Sequence, residues 1–597
     1  MYSQGVSAAA EYRNRLNDRD SRFARCEASH IRLGNLRLAL ALLAAGMAWA
    51  SLGRHAFSPW WMALPFAAFV VVAAYHSRLL RTRDLIRRAA DFYRGGLARI
   101  ENQWAGKGQT GERFNDPHHV YAADLDLFGR GSLFELLSTA RTRVGEETLA
   151  KWLLSPAPVD QIADRHAAVR ELRDQLDLRE DLAVLGEDAA VGVHPEALLH
   201  WAEAPNRMTP QWIRWASPML GISAIAATVI WAYLGIVTPL ILVILIEAVL
   251  TYRLHEPLEE VLHNSERAFR DLGLLSGVLA RVERHRFVTP RLQSLQRQLS
   301  SQQQAASRAI ARLSTITDFS DSRENLILRV LDVPLMYSVE VAFAAERWRR
   351  AHGEAVRAWL DVIGEIEALL CLATYSYEHP GDSFPEFAEG AASFDAIAIG
   401  HPLLPAETCV PNDVHLSGSR RVLLVSGSNM SGKSTLLRTV GVNTVLAMAG
   451  APVRARHVRL TPLQVGASIR VNDSLQEGSS RFYAEIKRLR RLFDLSNRSP
   501  ALLFLLDELL QGTNSKDRRV GAEGMLRALT TRGAIGLVST HDLALADIEG
   551  PLGGQVENVH FQEELENGRM HFDYKLRPGT VTKSNGLELM RSLGLEV

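Results

Sequence analysis

The sequence predicts a chain in two parts: a mostly helical part that carries two pairs of charge-free helices, and a C-terminal α/β domain. Three observations predict this arrangement. Long runs without charged residues occur in two regions, apolar residues elsewhere recur at spacings of three and four, and short β-branched segments alternate with helical ones beyond "HPGDSFPEF" (His379–Phe387). The last pattern is typical of a parallel sheet covered by helices.

The composition limits the class of protein. The chain has 597 residues, enough for about three or four domains. Its 67 Lys and Arg residues balance 67 Asp and Glu residues, so no global basic field indicates nucleic acid. Three scattered cysteines, Cys26, Cys371 and Cys409, form no disulfide framework and fit a reducing compartment. Residues 1–35 are polar, lack a secretory signal and are expected to form a cytoplasmic segment.

The first charge-free region predicts a transmembrane hairpin over residues 36–77. Leu38–Gly53 and Phe57–Tyr75 contain no charged residue, and as helices rising ~1.5 Å per residue they approach the ~30 Å hydrocarbon core. A buried core helix is the alternative for the first run taken alone. Arginines flank the pair, as expected on the cytoplasmic side: Arg32, Arg37, Arg78, Arg81, Arg83, Arg87 and Arg88.

The second charge-free region predicts another transmembrane hairpin, over residues 214–252. Trp215–Ile246 is uncharged, and the apolar run continues past Glu247 to Tyr252. Glycine and proline within Leu234–Pro239 predict the turn. Together the two hairpins predict a multi-pass protein of the cell (inner or cytoplasmic) membrane, with the lipid bilayer as a partner and the other segments in the cytoplasm.

A phosphate-binding loop is predicted at Gly427–Ser434, which satisfies GxxxxGK[ST] between the strand "RVLLVS" and a helix. Small residues let backbone N–H groups curl around phosphates, and the helix N-terminus adds partial positive charge. Lys433 would reach the β- and γ-phosphates, and the Ser434 hydroxyl would bind Mg²⁺. A glycine-rich turn that only packs is the alternative. The candidate ATP-binding residues are Gly427, Ser428, Asn429, Met430, Ser431, Gly432, Lys433, Ser434 and Thr435.

Acidic residues follow a later strand, in "ALLFLLDELLQGTNSKD". A carboxylate at the end of a strand beside the phosphate loop can hold Mg²⁺, and the next can activate water, so Asp507 is the candidate metal residue and Glu508 the candidate base. After "AIGLVST", His541 is placed to sense or position the γ-phosphate, although a histidine there is often structural. Ser479 and Ser480, at a predicted helix start, offer donors to an anion.

In chain order the four elements are the phosphate loop, the serine pair, the acidic pair and the histidine. Together they resemble the ATPase domain of the MutS DNA mismatch repair family, part of the wider ABC-type ATPase group. The loop "GSNMSGKST" is similar to the family's Gly-Pro-Asn-Met-Gly-Gly-Lys-Ser-Thr, with Ser428 and Ser431 as departures, and Gln511 stands where an Arg is common. Four further segments match: "GHPLL" (Gly400–Leu404), "VPND" (Val410–Asp413), "STHD" (Ser539–Asp542) and "KSNGLELM" (Lys583–Met590).

The resemblance continues more faintly upstream, where Thr142–Leu172 is similar to the family's helical core and "VIGEIEALLCLATYSYEHP" to its lever helix. It therefore implies an α/β P-loop (ABC-type) ATPase domain at residues 388–597, preceded by an all-α MutS-like core and lever domain that carries the two hairpins. Residues 78–213 would hold a helical linker and the first part of this core, and residues 253–387 the second part with the lever helices.

The resemblance also implies a second subunit as a partner, and it does not extend to every domain of the family. Family ATPase domains dimerise, and a serine-bearing loop of one subunit completes the other's ATP site, a part that Ser479 and Ser480 would play here. No mismatch-reading, connector or clamp domain is recognised, and Cys409 stands where relatives often place an aromatic residue against adenine. Because core-like segments lie on both sides of the second hairpin, that region must cross the membrane an even number of times.

The leading hypothesis is a membrane-anchored, Mg²⁺-dependent ATP hydrolase that drives conformational switching of a homodimer with double-stranded DNA bound. Residues Glu508, His541 and Lys433 would carry the catalysis. The basic stretch "RVERHRFVTPRLQSLQRQ" (Arg281–Gln298) offers a DNA-facing surface or an ordinary solvated helix face. The alternatives are an ATP-driven scaffold without nucleic acid and an ABC-transporter-like membrane protein, which the missing Leu-Ser-Gly-Gly-Gln signature disfavours.

Overall fold

The computed structural model describes residues 7–54, 58–205, 212–301, 304–321, 336–428, 430–470, 481–511, 513–566 and 569–581. These residues fall into two compact units, one made of the described residues within 1–104 and 175–191, and one made of those within 105–174 and 192–597. This division differs from the sequence-based one, which placed residues 78–213 in a single segment.

In chain order, the helices of the described residues are α1 (Ala8–Ala48), α2 (Ala63–Ile100), α3 (Leu133–Leu137), α4 (Arg143–Leu154), α5 (Val159–Arg173), α6 (Leu176–Gly192), α7 (Pro195–Glu203), α8 (Ile213–Leu234), α9 (Thr238–Arg284), α10 (Pro290–Gln298), α11 (Ala306–Asp321), α12 (Tyr337–Glu378), α13 (Lys433–Ala449), α14 (Arg481–Leu495) and α15 (Ser515–Thr531). The strands are β1 (Ser300–Ser301), β2 (Gln304–Ala305), β3 (Glu386–Phe387), β4 (Phe394–Ile399), β5 (Asn412–Leu416), β6 (Val422–Ser426), β7 (His457–Leu460), β8 (Leu463–Ser468), β9 (Ala501–Asp507), β10 (Ile535–Thr540), β11 (Val556–Glu566) and β12 (Arg569–Pro578).

The first unit is built on α1 and α2, which pack along each other. Both helices run without interruption from the charge-free region into polar sequence, because no proline or glycine cluster separates the two. Their polar halves hold α6 through ion pairs. Arg19 Nε lies 2.8 Å from a Glu180 carboxylate oxygen, and Arg88 Nη2 lies 2.6 Å from Asp188.

The second charge-free region forms a helical hairpin, α8 and α9, within the second unit. The chain turns at the predicted place: α8 ends at Leu234, Gly235 adopts the left-handed conformation at φ +69°, and Pro239 lies in the first turn of α9. Ile213 at one end of the hairpin and Leu254 at the other belong to the same apolar cluster. Both ends of the hairpin therefore return to the helical domain.

Among the residues that the structure describes, three helical stretches are long and apolar enough to cross a membrane: Ala8–Gly53, Trp60–Ile100 and Trp215–Leu234. A fourth is reached only if Thr238–Leu254 and Leu258–Arg284, which are bent by 68°, count as one span. The large apolar side chains of these stretches face outward rather than into a core. The exposed fractions are 65% for Leu42, 66% for Phe66, 68% for Met219 and 62% for Leu245.

The long helix α12 packs against several helices of the helical domain, and one of them is α4. The Thr142 hydroxyl caps α4 by accepting from the Gly145 N–H and donates to the Glu367 carboxylate of α12 at 2.6 Å. The Thr142 N–H adds a second bond to Glu367 at 3.0 Å. A Cβ on Gly145 would lie 2.1 Å from a Glu367 oxygen, so only glycine permits this contact.

The C-terminal domain contains a six-stranded sheet in the order β12-β11-β6-β10-β9-β8. All of its neighbouring strands are parallel except β12, which is antiparallel to β11. A second sheet, β3-β7-β4-β5, is mixed. Residues before the expected boundary at 388 already pair with this domain, since Ser383 bonds to Val453 and β3 pairs with β7. In the six-stranded sheet β10 lies between β6 and β9, so the carboxyl ends of these strands share one edge.

We expect Glu367→Gln to make stability less dependent on pH. Burial raises the pKa of Glu367 to about 7, against an ordinary value of 4.5. A carboxyl group whose pKa is raised on folding contributes fully below pH 4.5, and its contribution is lost as the pH rises to about 7. Both melting temperatures are measured in detergent. The difference between them (variant minus wild type) should therefore increase between about pH 5 and 7 and stay constant at higher pH.

The exposed Glu354→Gln on the same helix is the matched control and should show a constant difference from the wild type. A Glu367→Gln variant that is equally destabilised at every pH would show that the carboxylate is stable in its charged form.

Candidate functional site

The loop between β6 and α13 has the curvature of a phosphate cradle. Gly427 has φ +153°, Met430 φ +70° and Gly432 φ +104°, values that favour small residues at the two glycine positions. A Cβ on Gly427 would lie 2.6 Å from the Ser431 hydroxyl. The Ser431 hydroxyl is buried and has no partner among the described residues. Asn429 lies outside the described residues, and Thr435 is exposed in the first turn of α13.

The Lys433 side chain folds back over this loop. Its ammonium donates to the Gly427 carbonyl at 2.9 Å and to the Ser428 carbonyl at 2.8 Å. Burial lowers the pKa of Lys433, while the negative charges of three carboxylates, Glu508, Asp507 and Glu563, act in the opposite direction. The lysine is therefore held inside a cluster of oxygen atoms, next to the place where an anion would bind.

Two hydroxyls converge on the carboxylate of Asp507, the last residue of β9. The Ser434 hydroxyl donates to Asp507 Oδ2 at 2.5 Å, and the Ser539 hydroxyl of β10 donates to Oδ1. Hydroxyl and carboxylate oxygens are the ligands that Mg²⁺ prefers. Residues far apart in the sequence thus meet at one edge of the sheet, and their donor set fits a magnesium ion.

Glu508 follows in a strained backbone conformation, at φ +53°. Its N–H donates to the Ser539 carbonyl of the neighbouring strand at 3.1 Å. The Gln511 amide donates to one carboxylate oxygen, and His541 Nδ1 lies 3.4 Å from the other. In the sequence Gln511 stands out only as a departure from the family pattern, whereas in the structure it is a partner of the candidate base.

The segment after Glu508 is held from two sides. The Leu510 N–H donates to a Glu485 carboxylate oxygen of α14 at 2.6 Å. Arg518 of α15 donates to the Leu510 carbonyl at 3.1 Å and pairs with Asp542 at 3.3 Å. These contacts connect the segment carrying the candidate base with the one carrying His541. Ser479 and Ser480 lie outside the described residues, and α14 begins at Arg481.

A cavity of about 370 Å³ opens beside the loop and is large enough for a nucleotide. Three ring-bearing residues that do not stand out in the sequence, His401, Phe561 and Tyr574, line it together with Cys409. Burial lowers the pKa of His401 to about 4, so the imidazole is neutral at physiological pH. The Asn412 amide of the "VPND" segment donates to the Tyr574 carbonyl at 3.0 Å and accepts from Leu576 at 2.7 Å, fixing the strand that carries Tyr574.

Comparisons with known proteins agree with this geometry. Residues 423–596 match the family described as MutS domain V. The chain is 33% identical to the DNA mismatch repair protein MSH3 of Phaeosphaeria nodorum over 40% of its own length and 22% of that protein, and 30% identical to MutS of Geobacillus thermodenitrificans over 47% and 31%. It is 27% identical to MutS of Chlorobium chlorochromatii over 78% of its length and 57% of that relative. The chain thus spans less than two thirds of each of these relatives.

Proposed function

Because this chain belongs to the MutS family through its C-terminal P-loop ATPase domain, we propose that it binds Mg²⁺·ATP, hydrolyses it and uses the cycle to switch the conformation of a homodimer. The observation that carries the proposal is the 2.5 Å bond between Ser434 on the loop side and Asp507 on the strand side. Both are oxygen ligands of the kind that hold magnesium, and the cavity beside the loop has the volume that a nucleotide needs.

In hydrolysis each residue has one task. Ser434 and Asp507 would hold Mg²⁺, which when bound would offset negative charge on the transferred phosphoryl group. Lys433 leaves the loop carbonyls and stabilises the β- and γ-phosphates, and Glu508 orients and deprotonates the attacking water. Gln511 holds the Glu508 carboxylate, and His541, half exposed beside it, contacts the γ-phosphate. Ser479 and Ser480 of the partner subunit complete the site across the dimer.

Glu508→Gln is expected to lower ATP turnover by roughly 100-fold or more, because an amide cannot accept the proton of the attacking water. Binding of ATP should remain within about twofold of the wild type, since Lys433 and the loop are untouched. The measurements are steady-state phosphate release and nucleotide affinity of the detergent-solubilised protein. Glu523→Gln, which removes a carboxylate that pairs with Arg527 on α15, is the matched control. Unchanged turnover in Glu508→Gln would assign the base elsewhere.

The proposal includes double-stranded DNA as a partner, supported by a basic corner where α9, α10 and α11 come together. Glu283 of α9 accepts from the Ser307 N–H at 3.0 Å, and Glu171 accepts from the Val288 and Thr289 N–H groups, so nearby carboxylates are engaged by the backbone. The relatives named above are DNA mismatch repair proteins. The exposed arginines of the basic corner are Arg284, Arg286, Arg297, Arg308 and Arg312.

The triple variant Arg284→Gln, Arg286→Gln, Arg297→Gln is expected to weaken duplex binding and to reduce the slope of log affinity against log salt by about 2 to 3 units. Fluorescence anisotropy at about 50 and 200 mM salt measures both quantities. The exposed pair Arg490→Gln, Arg498→Gln on and after α14 serves as a charge control. Absence of duplex binding by the wild type at low salt would favour the alternative of an ATP-driven scaffold that acts on a protein partner.

The proposal also places the protein in a membrane, with both hairpins crossing the bilayer and the ATPase domain in the cytoplasm. The outward-facing apolar side chains on α1, α2, α8 and α9 support this, because soluble surfaces rarely expose continuous apolar area of this kind. Gly235 and Ile236, at the turn of the second hairpin, would then reach the far side of the membrane.

A cysteine in place of Ile236, in a chain whose three native cysteines are replaced, should react with a membrane-impermeant maleimide added outside intact cells. A cysteine in place of the exposed Gly381 should react only after the cells are opened. Release of the wild type from membranes by alkaline carbonate, or equal labelling of both positions, would overturn the proposed topology. A transporter-like role is tested separately, by stimulation of turnover with candidate substrates in vesicles.

A further inference from the structure

Ser428, the second residue of the phosphate loop, donates its hydroxyl hydrogen to the carboxylate of Glu563. The position is one at which the loop departs from the family pattern, which has proline there. Glu563 belongs to β11, the strand beside β6. In that parallel pairing His560 lies opposite Ser426, so Glu563 lies level with the start of the loop. A register irregularity between Phe561 and Glu563 interrupts the regular ladder with β12 at this point.

The loop needs an external support because its backbone is strained. Three of its described residues have positive φ, and one of them, Met430, carries a side chain. On the inner side the loop is held by Lys433, which must give up its bonds to the Gly427 and Ser428 carbonyls when it turns to a phosphate. Proline at position 428 would fix its own φ without a partner, whereas serine leaves that angle free. The bond to Glu563 connects the loop to the neighbouring strand β11 and does not involve the Lys433 ammonium.

We propose that Glu563 is a positioning residue for the phosphate loop, acting through the Ser428 hydroxyl to keep the loop curved for the nucleotide. The inference rests on the proposed function, because it concerns the affinity of the same site for Mg²⁺·ATP. The carboxylate also places a negative charge near Lys433, which by itself would oppose phosphate binding. The two effects have opposite signs, so the direction in which binding changes distinguishes them.

The test measures Mg²⁺·ATP affinity, KM and kcat for Ser428→Ala, Glu563→Gln, the double variant and Ser428→Thr in the full-length protein. Each of the first two should weaken binding and raise KM roughly five- to tenfold, because a hydrogen bond to a charged group is lost. The kcat should change less than about twofold, since Glu508 and Asp507 are untouched. The double variant should bind no more weakly than either single variant, and Ser428→Thr, which keeps the hydroxyl, should bind almost as the wild type.

The control is Glu557→Gln, which removes a carboxylate from the same strand, where its partner is Arg420. It should leave nucleotide affinity unchanged. Tighter binding by Glu563→Gln would overturn the inference and show that its charge acts against the phosphates, and additive losses in the double variant would overturn it by separating the two residues. Equal affinity of all variants would also overturn it while leaving the proposed function intact. Failure of the wild type to bind Mg²⁺·ATP would overturn both.

Discussion

The parallel pairing of β6, β10 and β9 determines where every candidate catalytic group lies. All three strands are buried, and their register places Thr540 opposite Ser426 and Ser539 opposite Asp507. The loop, the acidic pair and His541 therefore leave the sheet at one edge, although more than 100 residues separate the first from the last. This register brings the Ser539 hydroxyl within hydrogen-bonding distance of the Asp507 carboxylate, so a one-residue slip of β10 would separate them.

Much of this site could be predicted from the sequence because it depends on local patterns. The loop needs small residues in a fixed order, Asp507 and Glu508 end a continuous apolar strand, and Gly235 with Pro239 marks a turn. Glu563 and Tyr574 could not be found in this way, since their roles come from the strand beside the loop and no pattern around them marks a site. The partner of Gln511 was equally invisible, because it depends on the positive φ of Glu508.

The helical part shows the same difference between local patterns, which the sequence reveals, and contacts between distant segments, which it does not. The helical period predicted long helices, and Gly235 with Pro239 predicted where the second hairpin turns, but neither shows which helix packs on which. The packing of α6 on the first helix pair depends on ion pairs such as that of Arg19 with Glu180, across 161 residues of sequence. The contact of α12 with α4 depends on a buried carboxylate, Glu367, whose surroundings in the sequence are typical of any amphipathic helix.

The length of helix α12 has a mechanical consequence. With 42 residues it is roughly 63 Å long. Its last turn precedes the segment that pairs with the ATPase domain, and Val339 and Phe343 near its start belong to the cluster at the base of the α8–α9 hairpin. A tilt of about 5° at the nucleotide end of a straight rod of this length moves the other end by about 5 Å. Small rotations at the ATPase domain would thus be amplified into displacements comparable to one helical turn beside the second hairpin.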